Sequence, residues 1–253
     1  MLASGLLIFA MGEVGFKFGQ RKGFAADGKD PSWLLEASAF TLLALLAGFS
    51  FSMALGRYDA RRATFLREAN AIGMTYLRTQ LLDAKTAAAM RADLRAYITE
   101  RLAFARADAA PQQLAAAEAR SEVIQSVMWG RAMRAARRDA RSTMVPLFVS
   151  ALNDAINLST EEHAVLANHI PDVVIVWLLL IALIASWMMG YGFGKEGRHA
   201  PIFKAVFAVM VALVFGLVID LDRPQRGIIR VNLAPMEKVQ QRMNAAATPL
   251  RLR

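Results

Sequence analysis

The sequence predicts an all-α membrane protein. Four transmembrane helices carry it, and the long second helix extends into a soluble helical bundle between spans two and three. Three observations predict this fold. The 253 residues are 56% hydrophobic with a mean hydropathy of +0.33, above the roughly 45–50% apolar content of soluble domains. Charged residues still make up 20%, so the chain must separate into apolar spans and a polar part. The apolar part falls into uncharged helical runs long enough to cross about 30 Å of hydrocarbon.

The net charge of +9 points to an anionic lipid surface rather than nucleic acid, given the apolar spans. A basic inner surface that draws small anions is a third reading. Cysteine is absent, which excludes disulfides and thiolate metal sites. His163, His169 and His199 have no metal-ligand spacing, and nothing points to a cofactor or a metal.

The expected organisation is spans one and two over 1–56 and a soluble helical region over 57–169. Spans three and four cover 170–221, and a tail with an amphipathic helix covers 222–253. Met1 to Gly12 is uncharged, and Lys17, Arg21 and Lys22 follow the apolar run. A signal peptide has its basic residues first, so Leu2 to Phe18 reads as a short first span. Gly5, Gly12, Gly15 and Gly19 allow close helix approach. Glu13 is an acid inside this segment. It is either a proton- or cation-handling group or an interfacial partner of Lys17 one turn on.

Ala37 to Leu55 is the second span, entered at Glu36. Gly48, Ser50 and Ser52 make part of it small and polar, while Phe49 and Phe51 point elsewhere. Such positions line a dewetting constriction or simply pack helices. From Arg57 the helix becomes amphipathic. Tyr58, Arg62, Phe65, Ala69, Ile72 and Tyr76 share one face, and Arg57, Arg61, Glu68 and Ile72 an adjoining one. Unbroken from Trp33 to Leu82, it would be about 75 Å long at roughly 1.5 Å per residue.

Asp83 is placed to cap a helix whose apolar face is Met90, Leu94, Tyr97, Ile98 and Leu102. Pro111 restarts the chain as a helix over 112–138. Arg131, Arg134, Arg138 and Arg141 form a stripe, read as an anion- or partner-binding face or as a solvated one. Pro146 opens a helix over 147–165, with Leu152, Ile156 and Leu158 inward. Glu100 and Glu118 read as ordinary surface residues. Pro171 and Asp172 open the third span, with Trp177, Trp187 and Tyr191 as interfacial anchors. The fourth runs from Pro201 to Ile219, with Lys204 snorkelling at its start. In the tail, Met236, Val239 and Met243 oppose charged residues, so it should lie on the soluble helices or on the membrane surface.

Four spans put both termini and the soluble region on one side, and a slight excess of basic residues favours the cytoplasm. Spans two and four leave the membrane on that face. Arg57, Arg61 and Arg62 there meet Asp220, Asp222, Arg223 and Arg226. With Tyr58, Asp59, Glu68 and Asn70 they form an expected ion-pair collar. It either pins two helices or lines a vestibule. No Gly-rich phosphate loop, HExxH or GxSxG is present, so no catalytic residue and no enzyme activity is expected.

Three stretches carry a resemblance: FSFSMALGRYDARRATFLREANAIGMTYLRTQLL, HIPDVVIVWLLL with GYGFG, and VIDLDRPQRGIIRV. With the opening GEVGFKFGQRK, they resemble a bacterial membrane family labelled bestrophin-like, a domain of unknown function. The matches fall in the family's order over nearly the whole chain. Bestrophins are pentameric anion channels with four spans and a helical cytosolic region. The resemblance therefore implies a homo-oligomeric ion channel of the bacterial inner (plasma) membrane, passing chloride or other small anions. In that reading the second span lines the pore, Phe49 and Phe51 narrow it, and Arg57, Arg61 and Arg62 set charge preference. Phe49 and Phe51 are a loose analogue of the bestrophin neck, and the acidic calcium clasp of animal bestrophins has no recognisable counterpart. Two other readings stand beside it. One is a membrane-anchored scaffold or sensor using the Arg131–Arg141 stripe and the tail. The other is a proton-coupled transporter using Glu13.

Overall fold

The computed structural model describes residues 2–22, 32–106, 111–222 and 229–246. Among them the chain forms eight α-helices and one 3-10 turn, with no strand. Two units result: Met1–Arg57 with His169–Arg223, and Tyr58–Asn168 with Pro224–Arg253.

The first unit holds α1 (Leu2–Lys22), the start of α2 (Ser32–Arg78), α6 (Asp172–Lys195) and α7 (Pro201–Asp222). All four helices are long and apolar enough to cross a membrane. Lipid tails supply no hydrophobic drive between helices, so small residues and close packing must hold them. The pair α1 and α6 shows this. A Cβ on Gly15 would strike the carbonyl oxygen of Trp187, and one on Gly190 the carbonyl of Gly12. Gly19 and Gly194 meet in the same way. Ser186 donates to the Ile8 carbonyl at 2.7 Å, a polar tie inside the same seam. Ile8, Leu43, Leu178, Ala182, Ala185, Ala208 and Phe215 are buried together beside it.

Helix α6 ends in a glycine turn. Gly197 has φ +67°, and Arg198 N–H donates to the Phe193 carbonyl at 3.1 Å, which is a Schellman closure that needs a residue without Cβ. At the same end Trp187 stacks on Tyr191 at 5.4 Å, with Lys195 5.5 Å over the Tyr191 ring. This is the arrangement of an interfacial belt.

The second unit holds the rest of α2, a 3-10 turn (Thr79–Leu81), α3 (Ala84–Arg106), α4 (Pro111–Arg138), α5 (Val145–Ala167) and α8 (Ala234–Ala245). Asp83 Oδ1 accepts the Thr86 N–H at 3.0 Å and so caps α3. The Thr86 side chain, and then its backbone, hold the Asp83 carboxyl below its ordinary value. Met90, Leu94, Tyr97, Ile98 and Leu102 face the core as their spacing requires. Phe148 and Leu152 join them from α5, and Met128 and Ala132 from α4. Helix α8 settles the tail: Met236 and Met243 are buried in this core, and the Met243 carbonyl accepts from the Tyr76 hydroxyl at 3.1 Å.

Gly15→Ala or Gly190→Ala should destabilise the protein in detergent by on the order of 1–3 kcal/mol or more, because each overpacks backbone against backbone. Gly48→Ala meets nothing within 4 Å among the described residues and should leave the thermal midpoint unchanged or slightly higher, since Ala favours a helix over Gly. Equal midpoints for all three variants would remove the α1–α6 seam from the account.

Candidate ion-path and collar residues

Within the first unit, Asp222 at the end of α7 gathers the collar. Its Oδ1 accepts the backbone N–H of Ile170 at 2.9 Å and lies 3.6 Å from an Arg57 guanidinium nitrogen. His169 Nδ1 is 3.2 Å from the Asp222 carbonyl oxygen and 3.7 Å from its Oδ2. One carboxylate thus ties the end of α7 to the segment entering α6 and to α2. Asp220 is half-buried on the same helix. Arg223 and Arg226 lie outside the described residues.

The second unit places the other collar residues differently. Arg61 is buried and donates to the Asn168 carbonyl at 3.2 Å. The Tyr58 hydroxyl reaches the Arg230 carbonyl at 3.5 Å. Arg62, Asp59 and Asn70 are exposed. The sequence pattern put Arg62 with Phe65, Ala69 and Ile72 on one face. Phe65, Ala69, Ile72 and Tyr76 are covered as that pattern requires, and so are Arg61 and Glu68 on the adjoining face, but Arg62 turns out. Glu68 is fully buried, in the core rather than at a rim.

The membrane part of α2 has two distinct faces. Leu43, Ser50 and Ala54 are buried, and Phe40 meets Phe207 edge-on at 5.3 Å. The opposite side carries Thr41, Leu45, Gly48, Ser52 and Leu55, all exposed. Phe49, 60% exposed, and Phe51, 36% exposed, flank it. Among the described residues, nothing approaches within 4 Å of a Cβ built on Gly48 or Gly56. Leu45 and Leu55 on this face suit lipid, but Thr41, Gly48 and Ser52 interrupt it with small and polar positions.

Glu13 does not rely on Lys17, which is exposed. Its Oε1 lies 2.6 Å from the Lys204 ammonium, and its Oε2 lies 3.5 Å from His199 Nε2. Lys204 does not snorkel: it is fully buried, with its ammonium 4.6 Å over the Phe16 ring. A buried ammonium needs a counter-charge, and the acid on α1 supplies it.

The second unit contains a charge cluster that the helical patterns do not announce. Arg101 is buried and donates to both Glu68 oxygens, at 2.7 and 3.2 Å, and to Glu162. Its Nη1 lies 3.3 Å from His163 Nε2. A guanidinium can only donate, so Nε2 accepts and the ring proton sits on Nδ1, which is 2.7 Å from Glu118 Oε1. Phe104 stacks on the His163 ring at 5.2 Å. The Tyr97 hydroxyl is 3.4 Å from Glu68 and accepts from Gln125 at 3.0 Å. Burial, and then the Glu68 carboxylate, push the Tyr97 phenol above its usual range, so it stays protonated. Among the described residues, no group of three acids or histidines is placed to hold a metal ion.

A family model for the bestrophin-like domain matches residues 37–236. The chain belongs to the bestrophin-like family. Its fold is similar to that of a bestrophin homologue from Klebsiella pneumoniae, with a TM-score of 0.71, 12% identity, and 96% of this chain covering 97% of that one. A point variant of that homologue gives a TM-score of 0.72 at 12% identity, over 97% and 98% of the two chains. A further membrane protein gives 0.70 at 13% identity, over 95% and 96%. At such identities the likeness is one of fold. No curated protein matches the chain.

For this bestrophin-like protein, the buried cluster was the main omission of the sequence reading, yet it left a trace. Arg101 continues the spacing of Met90, Leu94 and Tyr97. Glu68 continues that of Arg61 and Phe65, and Glu162 that of Phe148, Leu152, Ala155 and Ser159. A charge that falls on an apolar stripe has to find its partner inside. Glu118, which reads as a surface residue, is tied to the cluster through His163.

Arg101→Met should cost on the order of 3–5 kcal/mol in denaturant unfolding in detergent, because it strands two buried carboxylates. Arg106→Ala breaks an exposed pair with Glu237 and should cost no more than about 1 kcal/mol. Similar losses for the two variants would contradict the buried network.

Proposed function

We propose that this protein is a homo-oligomeric ion channel of the bacterial inner membrane. The exposed Gly48–Ser52 face of α2 lines the path, and the second unit lies in the cytoplasm. The observation that carries this reading is that face: Thr41, Gly48 and Ser52 are exposed between leucines on a membrane helix, and nothing among the described residues comes within 4 Å of a Cβ built on Gly48. Copies arranged about an axis would turn this side away from lipid and leave it wet. Family membership supports the same reading, since bestrophins conduct anions. Phe49 and Phe51 flank the face and narrow the path. Of the three exit arginines, Arg57 faces Asp222 and Arg61 donates to a carbonyl, which leaves Arg62 as the exposed guanidinium acting on passing ions. No catalytic step belongs to this reading. Arg131 lies 2.8 Å from Asp93, which takes one member out of the arginine stripe and weakens the scaffold reading.

Purified protein in liposomes should pass ions, with chloride carrying more current than sodium when either is replaced by an impermeant ion. Arg62→Glu should shift the preference toward cations while leaving the oligomer mass unchanged. Intact oligomers that pass neither ion would overturn the proposal.

A further inference from the structure

The second unit contains a polar pocket of about 150 Å³ between α4 and α5, lined by Glu118, Ser121, Glu122, Gln125, Ser159 and His163, among others. Ser121 is the informative residue. It is 2% exposed, and its hydroxyl has no hydrogen-bond partner among the described residues. Helical hydroxyls elsewhere in this chain donate to the carbonyl four residues back, as those of Thr75, Thr99 and Thr160 do. A buried hydroxyl without a partner carries a desolvation penalty of about 1–3 kcal/mol, so its place on a pocket wall indicates that something else satisfies it.

The electrostatics indicate what that is. Glu118 and Glu122 line the pocket, and Glu68 and Glu162 stand behind His163, with Arg101 as the guanidinium among them. Four carboxylates against one guanidinium leave the region negative. Gln125 uses its amide nitrogen on Tyr97. Glu122 has no ion-pair partner among the described residues. The walls therefore offer mainly acceptors. The volume is that of about five waters at roughly 30 Å³ each, enough for a cation of a few heavy atoms. We propose that this pocket binds a small organic ammonium ion, whose N–H groups donate to Ser121 Oγ and to the Glu118 and Glu122 carboxylates. The inference is independent of ion conduction, because every wall residue belongs to the second unit.

The test is calorimetric titration of the full chain in detergent with ethylammonium chloride, beside sodium chloride at equal ionic strength. Saturable binding of ethylammonium alone is expected. Ser121→Ala should weaken it by about tenfold to a hundredfold, the range for losing one hydrogen bond to a charged group. Ser121→Ala removes an unsatisfied hydroxyl, so its unliganded thermal midpoint should equal or exceed that of the parent. Glu122→Gln, at an exposed position, should also weaken binding by about tenfold. The proposal fails if ethylammonium does not bind saturably, if sodium chloride produces the same heat, or if both variants bind like the parent.

Discussion

Helix α2 is under one constraint that shapes everything around it. Forty-seven residues in one helix must keep one covered stripe while their surroundings change from hydrocarbon to water. In the first unit the stripe is Leu43, Ser50 and Ala54, with Leu43 in the apolar cluster. In the second it continues through Arg61, Thr64, Phe65, Glu68 and Ile72, and polar atoms enter it. Each of those polar atoms then dictates a partner elsewhere: a carbonyl at Asn168 for Arg61, and a guanidinium on α3 for Glu68.

Both units meet the cost of buried polarity in the same way. Lys204 is covered by Glu13 and an aromatic face, Arg101 by Glu68, Glu162 and His163, and the Ile170 amide by Asp222. Such pairs add little net stability beside an apolar core of the same shape, yet they are expensive to break. They fix which helix faces which. In the membrane unit, where burial of apolar surface does not discriminate between helices, that role falls to glycine contacts and to the Glu13–Lys204 pair.

The elements were legible because their signals are local. Uncharged runs mark the spans, Asp83 marks a helix start, and the Met236–Met243 spacing marks an amphipathic tail. Bounds moved slightly: α1 extends through Lys22 and α7 through Asp222. What periodicity does not carry is pairing across long separations. Glu13 and Lys204 stand 191 positions apart in the numbering. The nearer Lys17 satisfied every local rule and is nonetheless on the outside. The same limit explains why Arg62 lies outside the face expected for it: adjacent residues differ by about 100° of helix, and only the packing partner fixes the phase.

The central claim is that the uncovered face of α2 lies against water inside the membrane. The chain has no cysteine, so single cysteines report cleanly. Ser52→Cys on that face, Leu180→Cys on the outside of α6 and Ala54→Cys on the buried side would be exposed to a membrane-impermeant thiol reagent in liposomes. The account predicts fast modification at position 52 and slow modification at 54 and 180. A cysteine at 52 that reacts no faster than one at 180 would contradict it.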